Sequence, residues 1–141
     1  MPTRNATATW EGGLQKGQGR FEGASGVIKG SYSFNTRFGA EKGTNPEELL
    51  AAAHAACFSM ALAVGLEQSG KPATSVETRA ACTVEKVGEG FKITTMKLDV
   101  AAKVPNIEQA AFQQVLEGAK KGCPVSNALA GVKIEVQARL V

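Results

Sequence analysis

The chain has 141 residues, 43% of them hydrophobic and 21% charged, with a net charge of +3. This is the length of one domain and the composition of an ordinary globular protein. The basic residues are scattered, at Arg4, Lys16, Arg20, Lys29, Arg37, Lys42 and onward, with few aromatics among them, which argues against nucleic acid as a partner. The N-terminus, Met1-Pro2-Thr3-Arg4-Asn5, has no apolar run of the secretory type. Three cysteines, an odd number, fit a reducing compartment better than a disulfide scaffold. Both features point to a cytoplasmic protein.

Residues 3–40 read as β-structure: runs at 6–10, 19–22 and 27–29 are separated by glycine-rich turns, as in a meander of two or three strands. Lys42-Gly43-Thr44-Asn45-Pro46-Glu47-Glu48 is a helix start, with Asn45 to cap, Pro46 in the first position and two acids in the first turn. This helix runs to about Gln68 and stops at Ser69-Gly70-Lys71-Pro72. Two alternating strands follow. Ser75 to Val87 has Val76, Ala80, Cys82 and Val84 on one face, and 91–104 has Met96, Leu98 and Val100 on one face, with a turn at Gly88-Glu89-Gly90. A second helix spans Asn106 to about Lys120 with Ile107, Ala111, Val115 and Ala119 at spacing four. Pro124 opens a short helical turn to Ala130, and Val132 to Ala138 is a last strand.

Of the 18 residues from Leu49 to Leu66, only His54, Ser59 and Gly65 are not apolar. Seven are alanine and no Lys/Arg asymmetry flanks the segment, so a membrane span is disfavoured. A helix apolar all round is buried on all sides. A chain this small cannot wrap it alone, so a second subunit is expected to complete the burial. The small residues Ala51, Ala52, Ala55, Ala56 and Ala63 permit close helix–helix approach.

Two cysteines stand out. Cys57 sits rigidly inside the apolar helix, and Cys123 sits at a break, Lys121-Gly122-Cys123-Pro124-Val125-Ser126, read as a hinge. A fixed thiolate to attack and a mobile thiol to resolve is the arrangement a thiol peroxidase needs.

At Thr36-Arg37-Phe38, Gly43-Thr44-Asn45-Pro46-Glu47-Glu48-Leu49, Ala52-Ala53-His54-Ala55-Ala56-Cys57-Phe58-Ser59-Met60 and Gly122-Cys123-Pro124-Val125-Ser126, the chain resembles the OsmC/Ohr family of osmotically inducible and organic-hydroperoxide-resistance proteins. Phe34-Asn35-Thr36-Arg37-Phe38 places it nearer the OsmC branch. The resemblance implies a single α+β domain with antiparallel and mixed sheets wrapped around a buried central helix, in an intertwined homodimer with two active sites at the subunit interface. It implies a peroxidase that reduces organic hydroperoxides to alcohols, with Cys57 peroxidatic, Cys123 resolving, and Arg37 and Glu47 as the activating pair. It implies an external dithiol reductant of lipoyl type and no metal, flavin or haem.

The residues support these roles and leave alternatives. A cysteine deep in an apolar helix has a raised pKa, and Cys57 lies about three turns from the helix N-terminus, so a cation must be brought to it. Arg37 stays charged when buried, and Glu47 can hold it in a bidentate fork. Arg37 could instead be a surface residue and Glu47 a helix-end charge. Cys57 could be a small core residue, and Cys123 could merely cap a turn. Cys57, Cys82, Cys123 and His54 could in principle hold zinc, although no Cys-x-x-Cys pair exists. His54 is better read as hydrogen-bonding across a packed helix interface, and Cys82 as core. Phe34, Phe38, Phe58 and Met60 are candidates to line an apolar substrate pocket. Such a pocket favours alkyl hydroperoxides by about 0.8 kcal/mol per buried methylene. The competing functions are a thiol–disulfide oxidoreductase and a non-enzymatic carrier of small apolar ligands. Finally, ten helical residues separate Glu47 from Cys57 by about 15 Å. One arginine cannot touch both on one straight helix, so the expected site is composite, with Cys57 and Cys123 from one chain and Glu47, accompanied by Arg37, from the other.

Overall fold

The structure, a computed structural model, describes all 141 residues. The chain divides into two compact units, Met1–Leu49 and Leu50–Val141.

The first unit is an antiparallel meander of β1 (Ala6–Glu11), β2 (Gln18–Gly23) and β3 (Lys29–Tyr32). Gly19 on the middle strand pairs with Trp10 on one side and Tyr32 on the other. A Cβ there would lie 2.5 Å from the Tyr32 ring and 2.9 Å from Trp10, so only glycine lets the two rings close to 5.7 Å between centroids. The β-reading of residues 3–40 fails at two places: the run at 27–29 is strand only from Lys29, the third strand being Lys29–Tyr32, and Phe34–Phe38 is a helix, α1. The cause of the helix is local. The Thr36 amide donates to Ser33 Oγ and the Ser33 amide donates to Thr36 Oγ1, a reciprocal cap that outcompetes the strand preference of the two phenylalanines.

Helix α2 runs from Pro46 to Gln68. Asn45 Oδ1 accepts the Glu48 amide and Asn45 Nδ2 donates to the Thr36 carbonyl, fixing the helix start to α1. At the other end Gly70 takes φ +78°, and the Lys71 and Gly70 amides return to the Leu66 and Glu67 carbonyls, a Schellman stop.

In the second unit β4 (Ser75–Val87) and β5 (Gly90–Lys103) form a long antiparallel hairpin, and β6 (Lys133–Leu140) pairs with β5 in parallel. Parallel pairing needs a crossover. Helices α3 (Gln109–Gly122) and α4 (Pro124–Ala128) supply it. The β4 and β5 alternation is as read from the sequence: Met96, Leu98, Val100 and Ala102 are buried and pack with Val76, Ala80 and Cys82. Onto this face pack two helix stripes, Phe58, Leu62 and Leu66 of α2 and Phe112, Leu116 and Ala119 of α3. The α3 stripe differs from the expected one. Ala111 is exposed, because the bulkier Phe112 and Leu116 take the core-facing angle. Burial of α2 is also one-sided within the chain: Met60 is 70% and Val64 41% exposed.

Leu62 is fully buried between α2 and the sheet. Leu62→Ala is expected to cost about 2–5 kcal/mol of stability, read as a lowered urea midpoint with unchanged slope.

Candidate active site

Cys57 lies one residue before the buried Phe58, so it sits at the rim of the α2 stripe, half-buried. It lines an open, mainly apolar groove of about 540 Å³, with Met60, Ala61 and Val64 on α2 and Val115 and Ala119 on α3. Cys123 ends α3 and begins α4. Pro124 cannot continue α3, and the chain breaks there. Cys123 is nevertheless fully buried, and its backbone is tied on both sides: its amide donates to the Ala119 carbonyl and its carbonyl accepts the Asn127 amide. The position read as a hinge is the junction where α3 ends and α4 begins. The two sulfurs stand 3.4 Å apart, in hydrogen-bonding contact, on residues 66 apart in sequence.

The two thiols have opposite electrostatics. Burial pushes the Cys57 thiol above its ordinary value, the Val125 amide offsets this in part, and contact with Cys123 adds to the rise. Burial also pushes Cys123 up, but the Ser126 hydroxyl and amide, the Cys57 thiol and the Val125 amide outweigh it and hold Cys123 below its ordinary value. The Cys123 side chain forms no regular helix-capping bond.

Beside the pair, His54 is fully buried with Nε2 2.7 Å from Ser126 Oγ. Burial lowers its pKa, so it is neutral at ordinary pH. Sequence reading passed over Ser126. Its position three residues after Cys123, across a proline-initiated turn, is the signal that could have found it. Cys82 lies on β4, half-buried against the core. No group of three or more His, Cys, Asp or Glu side chains is arranged to hold a metal.

In the first unit Arg37 and Glu47 come together. Arg37 Nε donates to both Glu47 oxygens at 3.0 and 3.2 Å, and Nη2 donates to Oε1 at 2.7 Å. Glu47 is buried and Arg37 half-exposed, its guanidinium 5.0 Å over the Phe38 ring. Phe34 and Phe38, 5.2 Å apart, line a pocket of about 260 Å³ with Arg37, Trp10 and Tyr32. The four pocket candidates thus separate. Phe34 and Phe38 flank Arg37, Met60 lines the Cys57 groove, and Phe58 is fully buried in the core beneath it.

A half-buried thiol in an apolar groove, touching a second buried thiol, defines a site built for reversible two-electron sulfur chemistry. Residues 39–137 match the family model described as OsmC-like protein. The chain is 47% identical over 127 residues to peroxiredoxin OsmC of Escherichia coli, covering 89% of each chain. It is 32% identical over 132 residues to an organic hydroperoxide resistance protein of Xanthomonas axonopodis pv. citri, covering 92% of this chain and 87% of the relative. Its fold is similar to the crystal structure of an organic hydroperoxide resistance protein from Elizabethkingia anophelis, with a TM-score of 0.74 and 28% identity over 99% of this chain and 96% of that one. The chain belongs to the OsmC-like family, with an α+β fold of the OsmC/Ohr type.

Given the 3.4 Å contact, mild oxidation should yield a Cys57–Cys123 disulfide while Cys82 remains a thiol. Peptide mass mapping of non-reduced digests checks this; a disulfide that includes Cys82 contradicts the pairing.

Proposed function

We propose that the protein is a thiol-dependent peroxidase that reduces organic hydroperoxides to alcohols, with Cys57 peroxidatic and Cys123 resolving. Access carries this assignment: Cys57 lines the open apolar groove, whereas Cys123 has no exposed surface. The Cys57 thiolate attacks the distal oxygen of R–O–O–H. The S–O bond forms, the O–O bond breaks, and the alkoxide takes a proton and leaves as alcohol. Cys57 is left as sulfenic acid. The Cys123 thiolate attacks its sulfur, forming the disulfide and releasing hydroxide, which leaves as water. An external dithiol of lipoyl type reduces the disulfide by exchange. The reaction belongs in a reducing compartment such as the cytoplasm.

Cys57 still needs a cation, because burial raises its pKa. The Arg37–Glu47 fork leaves Arg37 Nη1 outside the Glu47 contact and able to face an anion. Helix α2 is unbroken between Glu47 and Cys57, which separates them by about 15 Å along its axis. The reading is therefore an obligate homodimer whose sites combine Cys57 and Cys123 of one protomer with Arg37 and Glu47 of its partner. The exposed apolar side of α2, with Met60 and Val64, supports burial against a second copy.

Cys57→Ser should abolish hydroperoxide turnover. Cys123→Ser should allow a single turnover, after which Cys57 is trapped as sulfenic acid or over-oxidised, and Cys82→Ser should leave activity intact. Peroxide consumption and intact mass after one equivalent of cumene hydroperoxide check all three; turnover by Cys57→Ser sinks the assignment.

A mixed dimer of Cys57→Ser and Glu47→Gln chains tests the composite site. It should recover about half of the wild-type activity per dimer, because one site then holds both native residues. Activity no higher than that of the Glu47→Gln homodimer rejects sharing. Sedimentation at low micromolar concentration should show dimer and no folded monomer.

A further inference from the structure

Two pairs of side chains face each other between α2 and the start of α4. On α2, His54 and Cys57 are three residues apart, so they share a face and stand about 4.5 Å apart along the axis. Opposite them, Cys123 precedes α4 and Ser126 lies in its first turn, again three residues apart. His54 Nε2 lies 2.7 Å from Ser126 Oγ, and the two sulfurs lie 3.4 Å apart. A polar rung thus stands one turn from the sulfur rung, and both of its members are buried.

An imidazole is costly at position 54. The other members of its stripe, Phe58, Leu62 and Leu66, are apolar and fully buried, and a leucine would continue the stripe without desolvating a polar ring. His54 Nδ1 has no hydrogen-bond partner. A buried N–H without an acceptor is costlier than an unused lone pair, so the tautomer assigned from this pattern has the proton on Nε2, which donates to Ser126 Oγ. What this bond adds over apolar contact is direction. Val125 and Leu129 also press the α4 segment onto the core, but such contacts are non-directional. Beside Ser126 the packing leaves a cavity of about 240 Å³, lined also by Phe58, Ile134 and Val136. The backbone bonds at Cys123 run to Ala119 of α3 and Asn127 of α4, not to α2.

We propose that His54 and Ser126 are positioning residues for the resolving step: their hydrogen bond sets the register of α4 on α2, so that the Cys123 sulfur stands within reach of Cys57 when the sulfenic acid forms. The proposal deepens the peroxidase reading and rests on it for the roles of the two cysteines. The sulfenic acid has two fates. In one, Cys123 attacks its sulfur: the S–S bond forms, the S–O bond breaks, and the oxygen leaves as water with the Cys123 proton. In the other, a second hydroperoxide gives it an oxygen: a new S–O bond forms, the O–O bond breaks, alcohol leaves, and Cys57 ends as sulfinic acid. Only the first fate depends on where Cys123 stands. Reactions between held groups are steep in distance, and a misplacement of about 1 Å can cost about a hundredfold. The polar rung therefore governs how much hydroperoxide the protein withstands, not how fast it meets the first molecule.

Rapid mixing with cumene hydroperoxide separates the steps, because sulfenic acid formation scales with peroxide concentration and disulfide closure does not. Peptide masses then count disulfide against sulfinic acid. Ser126→Ala should keep sulfenic acid formation within about twofold of wild type and slow closure about tenfold. The hydroperoxide concentration that over-oxidises half of Cys57 should fall by the same factor. His54→Gln, whose amide reaches the place of Nε2, should restore closure. His54→Asn, whose amide ends at the place of Nδ1, should not. His54→Leu/Ser126→Ala removes both partners and strands neither, so its urea midpoint should stay near that of wild type. It should still close about tenfold slowly, and no more slowly than Ser126→Ala alone. A merely structural bond would instead let closure recover with stability. Closure at the wild-type rate in Ser126→Ala or in the double variant, or an equal slowing of both steps, overturns the proposal. Should Ser126→Ala fail to fold, His54→Gln read against His54→Asn decides in the same way. If Cys57 proves unreactive to hydroperoxide, the peroxidase reading falls, while closure driven by diamide, a thiol oxidant that is not a peroxide, still decides the positioning role in the same variants.

Discussion

The four-residue stripe on α2 is the constraint on which the rest of the second unit depends. His54, Phe58, Leu62 and Leu66 are all fully buried. One residue is about 100° of helix rotation, so once Phe58 points into the core Cys57 must lie at the rim and Met60 well away from it. Gly65 carries the same helix past α3 at close range: a Cβ there would lie 2.8 Å from Val115. The close crossing brings the α3 stripe of Phe112, Leu116 and Ala119 into line, and four residues further on that line reaches Cys123. The two sulfurs meet because two helix stripes cross on one sheet.

The site divides access from acidity. Cys57 can be reached but is held above its ordinary thiol value by burial, while Cys123 is held below it and cannot be reached. A nucleophile for an incoming substrate needs both properties at once. On the proposed reading the missing property comes from outside the helix that bears Cys57, as a guanidinium held by a buried carboxylate. The apolar groove then serves two ends. On that reading it would receive an alkyl tail, and it lowers the local dielectric, so that one correctly placed cation counts for more than it would in water.

Features set by strong local chemistry were legible in the sequence. The α2 start at Asn45-Pro46, its stop at Gly70, the β4–β5 turn at Gly88 and the alternation around Met96 each follow from one residue's conformational preference or from strict period two. Features set by competition between residues were not. Phe34–Phe38 reads as strand until the Ser33–Thr36 cap is weighed against its aromatics. The core angle of α3 depends on Phe112 out-bidding Ala111, a matter of volume rather than spacing. Phe58 and Met60 are equally apolar, and only the packed helix decides which faces the core. Ser126 was hidden because its partner, His54, lies 72 residues away. An apolar-all-round sequence also conceals which side of α2 its own chain covers.

The junction at Cys123 ties the chemistry to sheet topology. Because β5 and β6 run parallel, the chain must cross over between them, and the crossover is interrupted at Pro124. A resolving cysteine is often imagined on a loop that swings in. Here the backbone of Cys123 is held at both helix ends, and its sulfur already lies 3.4 Å from Cys57. A disulfide needs about 2.05 Å. The remaining approach, about 1.4 Å, is within the reach of side-chain rotation and small helix adjustment, so neither helix need unfold. Burial of Cys123 beside an exposed groove at Cys57 is what, on the proposed reading, makes Cys57 the sulfur that the hydroperoxide meets.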